Sequence, residues 1–400
     1  MTDPRDVRRA VVYKAGVPAA VLTRRDSGVR FEYLDDYSGP PVAHTLPLGR
    51  SQDAVAGAVP AFFANLLPEG RRLSALLRMV KTSADDELSL LLAVGADVVG
   101  DVAVVADGVD PADAAPTVAG FGDLSAMRFR DLMAERGFVD RLGLAGAQDK
   151  LSAGMITFSA RVGKGPAIVK LDPPDYPDAV ANEHYFLGLA RRLKLPVSAA
   201  RLVRDADGRL GLVVKRFDRR VGTDGVVTRL AVEDALQLLG RYPADKYSVT
   251  SEQVAQAVSR SCAASVVAAR SVLQQFAFAW LTGNGDLHAK NISVLQEPDG
   301  EWRVAPVYDV PSTLPYGDTS LALRLQGATH NLSRKRFLAF GAELGLAVAA
   351  VERALNDVLS VTAPMFDDIA DGALPWNASQ RREIVKQLRR RRAQLEGAAS

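Results

Sequence analysis

Read as a pattern of apolar and polar positions, the chain changes period several times. Residues 7 to 50 carry short β-rich runs, Val11-Val12-Tyr13, Ala20-Val21-Leu22-Thr23 and Val29-Arg30-Phe31-Glu32-Tyr33. Ala15-Gly16 and Asp26-Ser27-Gly28 are turn formers between them, which predicts a small antiparallel sheet. From Asp53 to Val94 the spacing becomes helical, with Pro60, Pro68-Glu69-Gly70 and Ser83 dividing three short helices. Asp101 to Val105 returns to strand. The interval 107–121, rich in Pro, Ala, Asp and Gly, predicts a linker and a boundary near residue 120.

The next stretch predicts a helix over Leu124 to Gly137, strands over Leu151 to Phe158 and Ala167 to Leu171, a helix over Ala179 to Leu193, and a strong strand from Leu210 that ends in charge at Asp218-Arg219. From residue 231 the period is helical, over Val232 to Leu239, Ser251 to Val258 and Ala263 to Leu281. Two strands follow, Ile292 to Leu295 and Trp302 to Val307, joined through Glu297-Pro298-Asp299-Gly300. Beyond them lie a short strand over Ser320 to Leu325 and helices over Ser333 to Leu344, Ala347 to Ile369 and Ser379 to Glu396, the last with Ser379 as N-cap. A β-rich half thus precedes an α-rich half. The expected units are 1–120 (a small sheet plus short helices), 121–230 (an N-lobe with a phosphate loop and a hinge strand) and 231–400 (a helical C-lobe).

Composition narrows this picture. With 400 residues, 48% of them hydrophobic, the chain can bury a large core. A net charge of +2 gives no global attraction to nucleic acid or to an anionic membrane. Any such contact must come from local clusters: Arg334-Lys335-Arg336, or the last helix with Arg381, Arg382, Lys386 and Arg389 to Arg392. Cations late in a helix complement its dipole, so a solvated face is the default for that helix, with DNA or an acidic partner as the alternative. The single cysteine, Cys262, forbids an intramolecular disulfide and favours a reducing cytoplasm. Met1 to Asp6 contains no apolar run, and Leu88 to Val105 is broken by Asp97 and Asp101, so neither a signal peptide nor a membrane span is expected.

The candidate chemistry is concentrated in Gly283-Asn284-Gly285-Asp286-Leu287-His288-Ala289-Lys290-Asn291, followed by Tyr308-Asp309-Val310. Asp and Asn at D-x-x-x-x-N spacing, then a second Asp after a hairpin, is the order in which kinases present phosphoryl-transfer groups. Asp286 suits the acceptor of a substrate hydroxyl proton, and Asn291 and Asp309 suit oxygen ligands of Mg²⁺. Upstream, Ala145, Gly146, Ala147, Gln148, Asp149 and Lys150 fit either an ordinary tight turn or a loop whose N–H groups approach a phosphate closely. Lys170 on its strand and Glu183 on the following helix fit a phosphate-binding Lys with its ion-pair partner, or else a solvated Lys. Lys215, Arg216 and Phe217 fit a hinge that contacts adenine, or an edge strand ending in charge.

Taken together these blocks, with Phe62 to Gly70 and Ala93 to Gly100, resemble the HipA family of toxin-antitoxin protein kinases over nearly the whole chain. The resemblance implies an α+β, protein-kinase-like two-lobe fold with a small β-containing N-terminal subdomain and a helical C-lobe. It implies an ATP- and Mg²⁺-dependent serine/threonine kinase that phosphorylates a translation component such as an aminoacyl-tRNA synthetase, with a small helix-turn-helix antitoxin and operator DNA as partners. By position, Ala145 to Lys150 would be the phosphate loop, Lys170 the ATP lysine, Lys215 to Phe217 the hinge and Asp286 the base. His288, Ala289, Lys290 and Asn291 would surround the phosphates and metal, with Asp309 a second metal ligand and Tyr308 near the nucleotide. Arg334 to Arg336 would be able to touch the DNA. Three positions depart from the family pattern: Asp149 for a more usual Glu, Leu287 for Gly, and Gly143 where many members carry a serine whose autophosphorylation silences the kinase. Glycine has no hydroxyl, so restraint by the antitoxin alone, or a switch elsewhere, is expected; Ser152 is the nearest downstream hydroxyl. Competing classes are a small-molecule or lipid kinase of related fold and a DNA-bound co-repressor pseudokinase.

Overall fold

In the computed structural model, which describes residues 3–26, 28–114, 120–121, 124–131, 155–162 and 165–397, the first alternating runs pair as β1 (Arg9–Lys14), β2 (Val17–Arg25) and β3 (Gly28–Tyr33). With β4 (Gln52–Asp53) and β5 (Val102–Ala106) they form an antiparallel sheet of order β4-β3-β2-β1-β5. Its inner face, with Ala10, Val12, Leu22, Phe31 and Val104, packs on Phe62 and Phe63 of α1 (Ala61–Ala64) and on Leu88 and Leu91 of α3 (Glu87–Val94). Between these helices lies α2 (Gly70–Val80), which rests on Leu90 through Leu76 and Val80.

A second sheet has the order β6-β7-β8-β10-β9, formed by β6 (Gly120–Phe121), β7 (Ile156–Val162), β8 (Gly165–Leu171), β9 (Ala200–Arg204) and β10 (Leu210–Lys215). Its strands are antiparallel except for the β6–β7 pair. Period-two alternation divides its faces. Phe158, Val169, Leu171 and Val213 pack with Leu124 and Phe129 on one side, while Ile168 and Lys170 look the other way, into a cavity. Helix α4 (Ala179–Ala190) packs on β9 and β10. The strand expected from residue 151 begins at 156, with 151–154 outside the described residues. Of the helix expected over 124–137, the described part contains a 3-10 turn at Leu124–Ala126 and helical residues 129–131, with 132–137 outside the described residues. The strand expected through Arg219 stops at Lys215, and the chain turns into a hairpin of β11 (Arg219–Val221) and β12 (Val227–Arg229).

The third sheet, β13 (Val232–Asp234), β14 (Ser293–Gln296) and β15 (Trp302–Val304), corrects the helix expected from Val232. Val232 pairs with Leu295, and helix α5 (Ala235–Leu238) starts only where Asp234 and Gln237 close a capping box. The helices that follow along the chain are α6 (Ser251–Ser261), α7 (Ser265–Thr282), α8 (Arg334–Glu343), α9 (Val348–Thr362), α10 (Met365–Asp371) and α11 (Ala378–Glu396). From Val272 to Thr282 every side chain of α7 is buried, which makes it the axis of the C-terminal core. Three further expectations are corrected. The helix over 347–369 is two helices, because Pro364 brings no N–H and interrupts the ladder. Residues 320–325 bury Leu321, Leu323 and Leu325 but make only an isolated bridge, Leu325 to Ala328. Asn377, not Ser379, caps α11. No helix among the described residues is long and apolar enough to cross a membrane.

Candidate active site

Helix α7 ends at Gly283, whose φ of 74° closes the last turn and lets Asn284 donate back to Ala279 O. A Cβ there would sit 2.5 Å from the Leu314 side chain. Arg391 of α11, buried, donates to Trp280 O at 2.8 Å and to Thr319 O at 2.7 Å, with its guanidinium 4.2 Å from the Trp280 ring centroid. Part of the basic C-terminal helix therefore braces the end of α7 instead of forming a wholly solvated face.

The loop that follows is buried from Gly283 to Ala289. Asp286 N–H donates to Asn284 Oδ1 at 2.9 Å, and Asn291 Nδ2 donates to Asp286 O at 2.9 Å, so the D-x-x-x-x-N spacing closes a ring. The Asp286 carboxylate accepts the Tyr247 hydroxyl at 2.7 Å. At Gly285 a Cβ would meet Thr313 Oγ1 at 2.7 Å and Asp318 Oδ2 at 2.8 Å, so only glycine passes. The β14–β15 hairpin then returns the chain to Asp309, which sits at a φ of 57° and is followed by Ser312. Asn182 of α4 holds that segment from both sides, donating to Ser312 O at 2.8 Å and accepting from Ser312 N at 2.9 Å.

Lys170 Nζ on β8 stands 2.8 Å from Glu183 Oε1 on α4 and 2.8 Å from Asp309 Oδ1. Desolvation favours the neutral amine, but the two carboxylates outweigh it and hold the Lys170 pKa above its usual value. Burial pushes the Glu183 carboxyl up, against the pull of Lys170. Burial opposes ionisation of Asp309 too, yet Lys170 holds its carboxyl below the usual range. His288 is driven down to about 4 by desolvation and is neutral at pH 7. Its Nδ1 accepts from Lys290 N at 3.3 Å, so the ring proton is assigned to Nε2.

These groups face a cavity of roughly 390 Å³, within the range of small-ligand sites. Lys170, Glu183, His288, Lys290, Asn291, Tyr308 and Asp309 line it, and Ile168, Leu187, Val214 and Phe217 add apolar wall. Asp286 does not line it directly but is joined to it through Asn291. Tyr308 donates to Lys290 O at 2.7 Å, shares a hydrogen bond with Ser293 at 2.6 Å, and lies 5.4 Å from the Phe217 ring. Residues 145–150 and Gly143 lie outside the described residues. At the hinge positions, Lys215 N–H is bonded to Ala199 O and Arg216 N–H to Pro166 O. The Arg216 side chain is committed elsewhere: it pairs with Asp97 at 3.0 Å and Asp218 at 2.8 Å, and Arg219 shares the same two carboxylates at 2.8 and 2.7 Å.

The first 106 residues supply a whole wall of this cavity, which the sequence did not announce. Leu66 to Glu69, Arg72 and Asp97 to Val99 line it. Glu69 pairs with Lys290 at 2.6 Å and also with Lys246, and these two cations, opposing desolvation, hold its carboxyl down at about 2. Of the basic cluster 334–336, Arg334 donates to Leu395 O and Asn356, Arg336 donates to Gln326 O, and Lys335 alone is exposed.

Comparison with known proteins fits this geometry. The HipA-like C-terminal domain matches residues 142–365 and the HipA N-terminal domain matches residues 10–105. The chain belongs to the HipA family. The cavity therefore lies where the two HipA domains meet. Protein Y4dM of Sinorhizobium fredii is 30% identical over 380 residues, 86% of each chain. The serine/threonine-protein kinase toxin HipA of Shewanella oneidensis is 28% identical over 314 residues, covering 72% of this chain and 70% of that one. In solved structures, the Shewanella oneidensis complex of HipA, HipB and operator DNA contains a chain that matches with a TM-score of 0.76 at 23% identity over 97% of both chains. The likeness shows the α+β HipA fold, with its N-terminal sheet region and helical C-terminal part. The chain is a HipA-like kinase.

Proposed function

We propose that the chain is an ATP-dependent serine/threonine protein kinase and the toxin of a toxin-antitoxin pair. The observation that carries the reading is the meeting of Lys170, Glu183 and Asp309 in a cavity that also exposes Asn291, itself tied to Asp286. In this reading Asp286 accepts the proton of the substrate hydroxyl, with Tyr247 fixing the rotation of its carboxylate. Lys170 orients phosphate oxygens, residues 145–150 keep the phosphate-loop role expected from their sequence, and Phe217 and Tyr308 flank the base.

Mg²⁺ fits the residues present. Asn291 uses its Nδ2 on Asp286 O and lines the cavity, which leaves its oxygen as a hard donor in the cavity that Asp309 also lines. Mg²⁺ takes few protein ligands and completes its shell with phosphate and water. Bound there, Mg²⁺ would supply charge neutralisation for phosphoryl transfer.

The Shewanella oneidensis chain of similar fold is described in complex with HipB and operator DNA. By analogy this chain would pair with a small helix-turn-helix antitoxin and reach operator DNA through it, with Lys335 the basic-cluster residue left exposed for a DNA contact. The acceptor would be a component of translation such as an aminoacyl-tRNA synthetase, and its phosphorylation would arrest growth in the cytoplasm. The test is transfer of labelled γ-phosphate from Mg-ATP to lysate proteins, followed by phosphoproteomics after induced expression. Label on serine or threonine of a protein, lost in Asp286→Asn, is expected; label confined to lipid or small-molecule fractions would overturn the reading.

A further inference from the structure

Glu69 lies at the N-cap of α2, in the N-terminal HipA domain, and yet it is the shared counter-ion of two lysines, one within the candidate catalytic loop and one packed against it. One, Lys290, immediately precedes Asn291, and its Nζ is also held by Asn65 O at 3.1 Å. The other, Lys246, lies beneath the loop and is attached to it through its neighbours. Its carbonyl accepts Ala289 N–H at 3.3 Å, the adjacent Tyr247 donates to Asp286 at 2.7 Å, and the Tyr247 ring lies 5.1 Å from that of His288. A single carboxylate thus ties together the two segments whose spacing sets where Asp286 and Asn291 stand.

We propose that Glu69 is a positioning residue for phosphoryl transfer: through Lys290 and the Lys246–Tyr247 pair, the N-terminal HipA domain holds the catalytic loop in its working register. The proposal rests on the kinase reading above. Without the carboxylate, two ammonium groups that now share one counter-charge repel each other across the loop. Lys290 is then free to compete for the phosphate oxygens that Lys170 orients. Lys246 recedes, and Tyr247 loses its hold on Asp286. None of this removes an apolar wall of the nucleotide cavity, so the effect falls on turnover before it falls on nucleotide binding.

The experiment uses the full chain with Mg-ATP, reading phosphate release or transfer for turnover and a fluorescent N-methylanthraniloyl ATP for affinity. Glu69→Gln, which keeps the size and removes the charge, is expected to lower turnover per folded molecule roughly 10- to 100-fold while nucleotide affinity stays within about twofold. Glu69→Asp is expected to recover part of the loss. In a Lys246→Met background the effect of Glu69→Gln is expected to shrink, because part of its target is already gone. Parental turnover in Glu69→Gln, a loss that merely follows the folded fraction, or strict additivity with Lys246→Met would each overturn the positioning role. A parent chain that neither binds Mg-ATP nor releases phosphate would instead refute the kinase reading itself.

Discussion

Two clusters of ion pairs join the N-terminal domain to the rest of the chain, and they differ in how fully they are satisfied. At the hinge side, Arg216 and Arg219 are buried between Asp97 and Asp218, and both also donate to Val98 O, with Arg219 donating to Gly100 O as well. The Asp218 carboxylate also accepts Gly100 N–H at 3.0 Å. At the catalytic side, Lys170 and Lys290 are paired as closely; both clusters border the same cavity, but Asp309 and Glu69 keep 20% and 26% of their side-chain surface exposed, against 14% for Asp97 and 5% for Asp218. Saturated, buried pairs fix geometry, and removing one partner leaves an uncompensated charge. A less buried pair such as Lys170–Asp309 can exchange a partner for an anionic ligand, which is what a phosphate site requires.

Four changes would break or sharpen that contrast. The largest effect is expected from Asp286→Asn, which keeps the shape of the loop and removes the base: phosphotransfer should fall about 10²- to 10⁴-fold with the melting temperature nearly unchanged. Asp97→Ala should do the reverse, costing about 3–5 kcal/mol in denaturant titration because two buried arginines lose a shared carboxylate. Its folded fraction should keep most of its turnover. Lys170→Met should abolish tight Mg-ATP binding at a smaller stability cost than Asp97→Ala, because Glu183, already raised by burial, takes up a proton. A stability loss equal to that of Asp97→Ala would erase the distinction between the clusters.

The smallest change concerns Asp234, between the two clusters, whose carboxyl is pushed up to about 6 by burial. A raised folded-state pKa means that the native chain binds the proton more tightly than the unfolded chain. The stabilisation is present below the unfolded value of 3.8 and lost as pH rises through about 6. Asp234→Asn keeps the helix cap and should therefore gain up to about 2 kcal/mol at pH 8 relative to pH 4, read from paired melts. No pH dependence of the difference would mean that the carboxyl is solvated.

The sequence by itself determined the elements and chemistry that depend on neighbours along the chain. Strand alternation, the turn formers and the stop at Gly283 are local, as is the D-x-x-x-x-N ring, since Asp286 and Asn291 lie five positions apart in one loop. Where local rules competed, reading failed in identifiable ways: a capping box delayed the helix at Asp234, and Pro364 cut one helix into two. Only the tertiary structure decided the partners that cross the molecule. Glu69 reaches Lys246 across 177 positions and Asp97 reaches Arg216 across 119, and no periodicity encodes which charge on one unit will face which on another. Those choices follow from how the faces of two sheets and a helical core pack, because burial forces each charge to find a partner that only the assembled fold brings near.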